Sequence, residues 1–172
     1  EDILRKAKQA NFWMIFYGVE NGNQQMLDHM HKQTNIDDIK RAFLLTRRAG
    51  IASYGSFMIG NDGEAIESVH DSIKLAEEIM PNFGGFSIAA PFPGTELYRT
   101  ALKKGHITTT DFREYQYGDC ILRTDELSVE EIVSLTAEAN SRLNKIKGTT
   151  RYRKERNKDI ISWINALYPE EQ

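Results

Sequence analysis

Acidic and amide side chains follow the first long apolar run of the sequence, and this change of residue type marks a candidate ligand site. The run extends from Phe12 to Tyr17, and Glu20 and Asn21 come soon after Gly18. An aromatic-rich run ended by a glycine is typical of a strand buried on both faces of a parallel sheet. Ligands of such proteins bind outside the carboxyl ends of the strands. Because an unpaired buried carboxylate is costly, we expect Glu20 to face solvent, a basic partner or a ligand.

Two interpretations of these polar residues remain open from spacing alone. Glu20 and Asn21 could hydrogen-bond a ribose, an amine or another polar ligand, or Glu20 could cap a helix that begins near Gly22. The loop from Gly60 to Glu64 offers a similar choice. Its glycines would let the backbone approach a ligand, but it lacks the Gly-Lys-Ser/Thr sequence of a phosphate-binding loop. Its two acids disfavour a phosphate, and a simple capping turn is the plainer interpretation.

Histidine and cysteine residues give little support to a metal site or a nucleophile. His29 and His31 are two positions apart, and on a helix such residues point to different faces. The single cysteine, Cys120, excludes an internal disulfide and any multi-cysteine metal or iron–sulfur site built from this chain alone. No activating base is visible for Cys120. We therefore predict no metal ligands in this chain and a reducing, cytoplasmic location.

Composition and charge exclude several classes of protein. The chain of 172 residues is 40% hydrophobic and 27% charged, which is an ordinary balance for one domain with a hydrophobic core. Its net charge of -3 argues against a general nucleic-acid-binding surface. The longest apolar runs are too short to predict a membrane span. Because the chain opens at Glu1 in a helical pattern, without an initiator Met, we expect a piece of a longer protein with no signal peptide.

Strand and helix patterns alternate along the first two thirds of the chain. The three strand patterns cover residues 12–19, 51–60 and 83–90. Helical patterns fill the intervals between them, and a further helix is predicted over 95–104. Asn35 is a predicted N-cap, and Gly50 and Gly105 are predicted to follow helix ends. This alternation with short connections predicts an α/β fold with a parallel sheet and right-handed crossovers.

The remainder of the chain shows three different patterns. Residues 106–127 are irregular but rich in apolar and aromatic side chains, so we expect them to pack over the sheet. A capping box, Ser128 with Glu131, begins a strongly amphipathic helix over 128–146. Residues 149–168 are first basic and then apolar, which predicts a last helix that docks on the domain or mediates self-association.

Three motifs together resemble one enzyme family. They are YGVENGNQ at 17–24, GSFMIGNDGE at 55–64 and FSIAAPFPGTELY at 86–98. In this order and spacing they resemble the second half of a radical S-adenosylmethionine (SAM) enzyme core. The most similar subgroup carries an N-terminal cobalamin-binding domain and includes the anaerobic magnesium-protoporphyrin IX monomethyl ester cyclases. The resemblance implies a partial (β/α) TIM-like barrel, with strands four to six in residues 1–127 and a C-terminal helical extension over 128–172.

The resemblance also implies which residues bind the cofactor. They are Glu20, Asn21, Lys32, Ser56, Ile59 and Ala90. In the family, the residue matched by Glu20 contacts the ribose or methionine moiety of SAM, and Asn21 lies beside it. A basic residue at the position of Lys32 often pairs with the SAM carboxylate. Ser56 would face the cofactor. The strand ends that contain Ile59 and Ala90 would line the adenine, mostly through backbone and apolar contacts.

Two departures from the family pattern limit what this chain can do. The Cys-x-x-x-Cys-x-x-Cys loop that holds the family's 4Fe-4S cluster is absent and would lie upstream of Glu1. The common Gly-Leu-Pro-Gly turn is replaced by Gly60-Asn-Asp-Gly63. The family cleaves SAM by one-electron reduction at the cluster to start radical chemistry on a substrate. We therefore expect a truncated half-barrel that keeps part of the wall of the SAM-binding site. It would have no catalytic residue and would be inactive alone.

The activity of the full-length parent follows from the resemblance only in outline. It would be an oxidative cyclisation, rearrangement or methylation of a small-molecule substrate, with cobalamin as a further cofactor in part of the subgroup. Two alternatives stay open. One is a lyase-type half-barrel that uses Glu20 as an acid/base group. The other is a non-catalytic α/β assembly module that acts through residues 106–127 and the apolar tail.

A half-barrel exposes a strand edge and a sheet face that strands one to three would otherwise cover. We expect the fragment to cover these surfaces by forming a homodimer or by laying residues 106–168 across them.

Overall fold

A three-stranded parallel sheet is the centre of the fold. The computed structural model describes residues 1–115 and 119–146, except for the side chain of residue 114. The strands are β1 (Met14–Glu20), β2 (Ala52–Ile59) and β3 (Phe83–Ile88). The α-helices are α1 (Asp2–Gln9), α2 (Gln24–His29), α3 (Ile36–Arg48), α4 (Ile66–Ile79), α5 (Glu96–Lys104) and α6 (Val129–Asn144), with a 3₁₀ helix at Phe112–Glu114. The strand order is β1-β2-β3, and both pairs are parallel, which confirms the predicted α/β class.

Local sequence signals set the helix ends as predicted. The Asn35 side chain accepts a hydrogen bond from the backbone N–H of Asp38 at 2.8 Å at the start of α3. Gly105 ends α5 with a φ of +67°, a conformation that glycine adopts without steric cost. At the start of α6, Ser128 and Glu131 form the reciprocal capping box, with side chain to backbone distances of 2.8 and 3.2 Å.

The main hydrophobic core lies between one face of the sheet and helices α2, α3, α4 and α6. Alternate residues of the strands point into it. Phe57 of β2 and Phe86 of β3 stack in this core with ring centroids 4.6 Å apart, and both side chains are buried. Tyr17 of β1 packs against Phe43 of α3, and its hydroxyl lies 2.6 Å from Thr46 Oγ1.

The expectation that the first strand is buried on both faces was wrong. Phe12 and Trp13 precede β1 rather than belong to it, and both side chains are exposed. Phe16 lies on the opposite face from the main core, where it is 62% exposed and stacks on Tyr54 with a centroid distance of 4.5 Å. We call this side the open face, defined by Phe16, Tyr54 and Ser56. The main core covers only the other side of the sheet, so an apolar run here does not mean two buried faces.

The described residues of the 106–127 segment pack against the domain, and the prediction that this segment lies over the sheet stays a prediction. Leu122 forms an antiparallel bridge with Ile107 and is buried against Ala89 and Ala101. Leu127 is buried in the main core. The predicted last helix over 149–168 lies outside the described residues.

A side chain of α6 closes the outer edge of β3. The Asn140 amide donates to the carbonyl of Phe86 at 2.8 Å and accepts from the N–H of Phe86 at 3.0 Å. These are the two bonds that a neighbouring strand would make. In the described part of the chain no strand pairs with the outer edge of β1. None of the described helices is long and apolar enough to cross a membrane.

Candidate functional site

An ion pair lies at the carboxyl end of β1. Glu20 is the last residue of the strand, and Lys32 follows α2 in the next connection. Lys32 Nζ lies 3.1 Å from Glu20 Oε1, and the two side chains are 33% and 22% exposed. The expectation that Glu20 faces solvent, a basic partner or a ligand is therefore confirmed, because Lys32 is such a basic partner. Both charged groups stay accessible enough to exchange this contact for a ligand.

Gly18 makes room for this ion pair. A Cβ atom at position 18 would overlap the Glu20 carboxylate and would lie 3.2 Å from Lys32 Nζ. The carboxylate thus folds back over the strand on the surface that a side chain would otherwise occupy. Any larger residue at this position would displace it.

The backbone at Glu20 is strained. Its φ is +66°, which is uncommon for a residue with a side chain. The N–H of Asn21 donates to the carbonyl of Val19 at 2.9 Å, so these three residues form a tight turn of the γ type. Such a conformation costs about 1–3 kcal/mol and persists only where the surroundings hold it.

Asn23, rather than Glu20, caps the next helix. Its side chain accepts from the N–H groups of Gln25 and Met26 at the start of α2, at 3.0 and 3.2 Å. The alternative that Glu20 is a capping acid is therefore wrong. This leaves the Glu20 carboxylate with Lys32 as its described partner.

Asn21 is fully buried and joins the ends of two strands. Its amide donates to Glu64 Oε1 at 2.6 Å, and its oxygen accepts from the N–H of Asn23 at 2.9 Å. Both the nitrogen and the oxygen of the Asn21 amide therefore form hydrogen bonds within the protein. Its predicted contact with a cofactor stays a prediction.

Glu64 is a buried acid at the centre of this arrangement. Its Oε2 accepts from the backbone N–H groups of Gly60 and Asn61 at 2.6 and 3.2 Å, directly after β2. Burial raises the pKa of the Glu64 carboxyl group, and the hydrogen bonds from Gly60, Asn61 and Asn21 oppose part of that rise. All its described partners are donors, which suits an ionised carboxylate.

The role of Glu64 is not apparent from the sequence, where this residue appears only as one of two loop acids that disfavour a phosphate. Its burial depends on Asn21, which is 43 positions away along the chain. No local pattern signals a contact of that range.

Helix α4 also anchors the loop that follows β1. The N–H of Gly22 donates to Ser72 Oγ at 2.8 Å, and the Asn23 amide donates to Asp71 Oδ2 at 2.8 Å. A Cβ at position 22 would overlap the backbone of Asp71 and Ser72, so only glycine allows this approach. The strained turn is therefore held from two sides, by Glu64 and by α4.

The remaining predicted cofactor residues take different positions. Ser56 lies half-buried on the open face, in register with Gly18 of β1 and Gly85 of β3. The Ile59 side chain is fully buried in the main core, so only its backbone could meet a ligand. Ala90 is half-buried just beyond β3. The predicted contacts of these three residues with a cofactor stay predictions.

A cavity of about 400 Å³ lies at the carboxyl ends of β2 and β3. Its wall includes apolar side chains from several elements, among them Met30, Met58, Ala90 and Leu97. Asn61 contributes a polar group, and its buried Nδ2 has no hydrogen-bond partner among the described residues. A cavity of this size can hold a small organic ligand.

A chain of alternating charges extends from the wall of this cavity to α5 and the segment that follows it. Asp62 lies 3.4 Å from His29 Nε2 and 2.7 Å from Lys104 Nζ. Lys104 also contacts Asp125 at 2.7 Å, and Asp125 lies 3.3 Å from His106 Nε2. The hydrogen bond from Lys104 holds the pKa of Asp125 below its usual value. Within 1–115 and 119–146, no group of three His, Cys, Asp or Glu residues is placed to hold a metal ion.

The fold and the position of the polar residues define a parallel α/β unit with a candidate ligand site at the carboxyl ends of its strands. No protein-family model matches the chain. The chain is 28% identical, over 81% of its length, to an uncharacterized methyltransferase of Pyrococcus horikoshii. It is 25% identical, over 97% of its length, to the anaerobic magnesium-protoporphyrin IX monomethyl ester cyclase of Rubrivivax gelatinosus. A cytidylyl-2-hydroxyethylphosphonate methyltransferase of Streptomyces wedmorensis is 27% identical over 84% of the chain.

These matches confirm the resemblance to the cyclase-like group of radical SAM enzymes that the three motifs predicted. The chain spans 30%, 30% and 29% of the lengths of these three relatives. The activity and substrate of a whole protein therefore remain matters for proposal.

Proposed function

We propose that this chain is the second half of a radical SAM core and contributes part of the SAM-binding wall. The observation that carries the proposal is the accessible Glu20–Lys32 ion pair at the carboxyl end of β1, with an N–O distance of 3.1 Å. Lys32 would bind the carboxylate of SAM. Glu20 would accept hydrogen bonds from the ribose hydroxyl groups or the ammonium group.

The residues present fit SAM in charge and in location. SAM carries both a carboxylate and cationic groups, and the ion pair offers one partner for each sign. Met30 and His31, which immediately precede Lys32, line the cavity at the ends of β2 and β3. A ligand whose charged end meets Glu20 and Lys32 could place an uncharged ring in that cavity. Ala90, which lines the same cavity just beyond β3, would contact the ring, and Ser56 of β2 would face the ligand from the open face.

The described residues do not fit a 4Fe-4S cluster. The chain has one cysteine, and the Cys120 thiol donates to the carbonyl of Leu122 at 3.1 Å. Burial raises the pKa of this thiol, which disfavours the thiolate that a cluster requires. The cluster's ligands would have to come from outside this chain, so no reaction step is assigned to these residues.

The whole protein would start radical chemistry on a small-molecule substrate, with cyclisation, rearrangement or methylation as the outcome. The named cyclase and methyltransferases support cyclisation and methylation without selecting one of them, and rearrangement rests on the resemblance alone. The sequential parallel order β1-β2-β3 and the open face support a half-barrel made of strands four to six. Cobalamin stays a hypothesis raised by the resemblance. The lyase-type half-barrel and the non-catalytic assembly module stay open as alternatives to the proposed function.

The experiment uses the complete protein that contains this chain, purified and reconstituted without oxygen. Iron–sulfur absorbance and electron paramagnetic resonance report the cluster, and equilibrium dialysis measures the affinity for S-adenosylhomocysteine. Reductive formation of 5′-deoxyadenosine reports SAM cleavage. We expect Glu20→Ala to weaken binding about tenfold or more, because a charge-assisted contact is lost.

Gly18→Ala tests the same pair without removing either charge. We expect it to weaken binding to a similar extent, because its methyl group would displace the Glu20 carboxylate. Gly85→Ala is the matched control, since its Cβ would meet the Tyr54 hydroxyl at 3.3 Å and Asn140 Oδ1 at 3.9 Å, and neither Glu20 nor Lys32. A complete protein with no cluster and no SAM turnover would overturn the proposal, as would binding that neither Glu20→Ala nor Gly18→Ala weakens.

A further inference from the structure

We propose that Glu64 is a positioning residue that aims the Glu20 carboxylate by holding Asn21 in place. This inference rests on the proposed function. It adds to the proposed SAM site a buried residue that would not itself contact SAM. The Glu64 carboxylate is fully buried and has three described donors, and no described lysine or arginine pairs with it.

The contacts of Glu64 join the carboxyl ends of two neighbouring strands. One oxygen accepts from the Asn21 amide at 2.6 Å, just after β1. The other accepts from the backbone N–H groups of Gly60 and Asn61, just after β2. A single side chain therefore sets the distance between the two strand ends. Its own backbone carbonyl accepts from Thr124 Oγ1 at 2.9 Å, which fixes it from a third direction.

Asn21 transmits this constraint to Glu20. The N–H of Asn21 closes the tight turn on Val19 at 2.9 Å, and Glu20 is the central residue of that turn, with a φ of +66°. A residue in this conformation relaxes unless its neighbours hold it. With the Asn21 side chain clamped by Glu64, the turn directs the Glu20 carboxylate back over Gly18 towards Lys32.

The test is a double-mutant cycle in the complete protein, with S-adenosylhomocysteine as the probe. We expect Glu64→Gln to weaken binding about tenfold when Glu20 is present, because a Gln amide would face donors and release Asn21. In the Glu20→Ala background, Glu64→Gln should change the affinity less than about twofold. In turnover we expect the KM for SAM to rise with the dissociation constant, while kcat at saturating SAM changes little.

Two further variants separate positioning from loss of stability. Asn21→Ala removes the same hydrogen bond between Asn21 and Glu64 by changing the donor. If Glu64→Gln does not fold, Asn21→Ala replaces it in the double-mutant cycle. Ile73→Val removes one buried methyl group of the main core and should leave the affinity unchanged in both backgrounds.

The outcomes distinguish this inference from the proposed function. Equal losses in the presence and absence of Glu20 would overturn the positioning role, while the SAM site would stand. Unchanged binding in both Glu64→Gln and Asn21→Ala would overturn it as well. A wild-type protein that binds no S-adenosylhomocysteine would overturn the proposed function itself, and the inference with it.

Discussion

Glu64 shows how a residue that faces no solvent can control an accessible site. Its carboxylate is buried, and burial raises its pKa while three donors oppose the rise. The folded state therefore holds the Glu64 proton more tightly than the unfolded chain does. For an acid with a raised folded pKa, the stabilising contribution is present below the unfolded value near 4.5 and is lost as the pH rises through the folded value.

This linkage predicts how Glu64→Gln changes stability with pH. The Gln side chain of the variant does not titrate, and all other acidic groups are common to the wild type and the variant. We expect the free energy of unfolding of the wild type, relative to the variant, to fall as the pH rises above 4.5. One group can contribute at most about 1.4 kcal/mol per pH unit. Urea unfolding of both proteins over a series of pH values measures the difference.

Glu126→Gln serves as the control for this measurement because Glu126 is exposed. A surface change of this kind should alter stability by no more than about 0.5 kcal/mol. A wild-type advantage over Glu64→Gln that grows with pH would contradict the prediction.

At the scale of elements, α6 takes the place of a strand at the outer edge of β3. The Asn140 amide makes both hydrogen bonds of an edge residue, at 2.8 and 3.0 Å from Phe86. Its amide also donates to the carbonyl of Thr136 at 3.0 Å, one turn earlier in the same helix. Unpaired strand edges are sites of association between proteins. Helix α6 therefore protects one edge of the sheet as well as covering the core.

Asn140→Ala should expose this edge. It leaves the N–H and carbonyl of Phe86 without these partners, which should lower the free energy of unfolding by about 1–3 kcal/mol. We also expect more self-association, because the edge becomes free to pair. Urea unfolding and sedimentation velocity of the 172-residue chain measure the two effects.

Ser141→Ala is the matched control on the exposed side of the same helix. It should change neither quantity. If Asn140→Ala and the wild type were equally stable, the contact between Asn140 and Phe86 would contribute nothing to the free energy of unfolding.

Among the described residues, one side of the sheet is covered and the other is largely open. The helices and the main core lie on one face of the sheet, whereas Phe16 on the open face is 62% exposed. Phe12 and Trp13 add exposed aromatic surface just before β1. In the proposed half-barrel, the first three strands of the complete protein would cover this side. The chain by itself must leave it exposed, cover it with a second copy or cover it with its own remaining residues.

We predict that the isolated 172-residue chain self-associates through this side. Phe16→Lys should raise the dissociation constant of the dimer about tenfold or more, because it places a charge at the centre of the apolar contact. Sedimentation equilibrium over a dilution series gives the constant. Leu102→Lys is the control, since Leu102 is 51% exposed on α5. A wild-type chain that stays monomeric throughout the series would overturn the predicted dimer.

Much of the fold could be predicted from local patterns. Asn35, Gly105 and the Ser128–Glu131 box set helix ends because their bonds are made within a few residues. The parallel order of the strands follows from their alternation with helices and the short connections between them. Glu20 was recognisable as a candidate because its charge follows an apolar run.

Only the tertiary structure decided how these elements make a site. Asn21 meets Glu64 across 43 positions, and the contact exists because parallel strands bring their carboxyl ends to one edge of the sheet. The open face is another such outcome. The apolar type of Phe16 predicts burial, but which side of a strand is covered depends on where the helices pack. Sequence therefore determined the elements and the helix ends that are capped locally, and packing between distant segments determined which acid is buried, which is paired and which surface stays open.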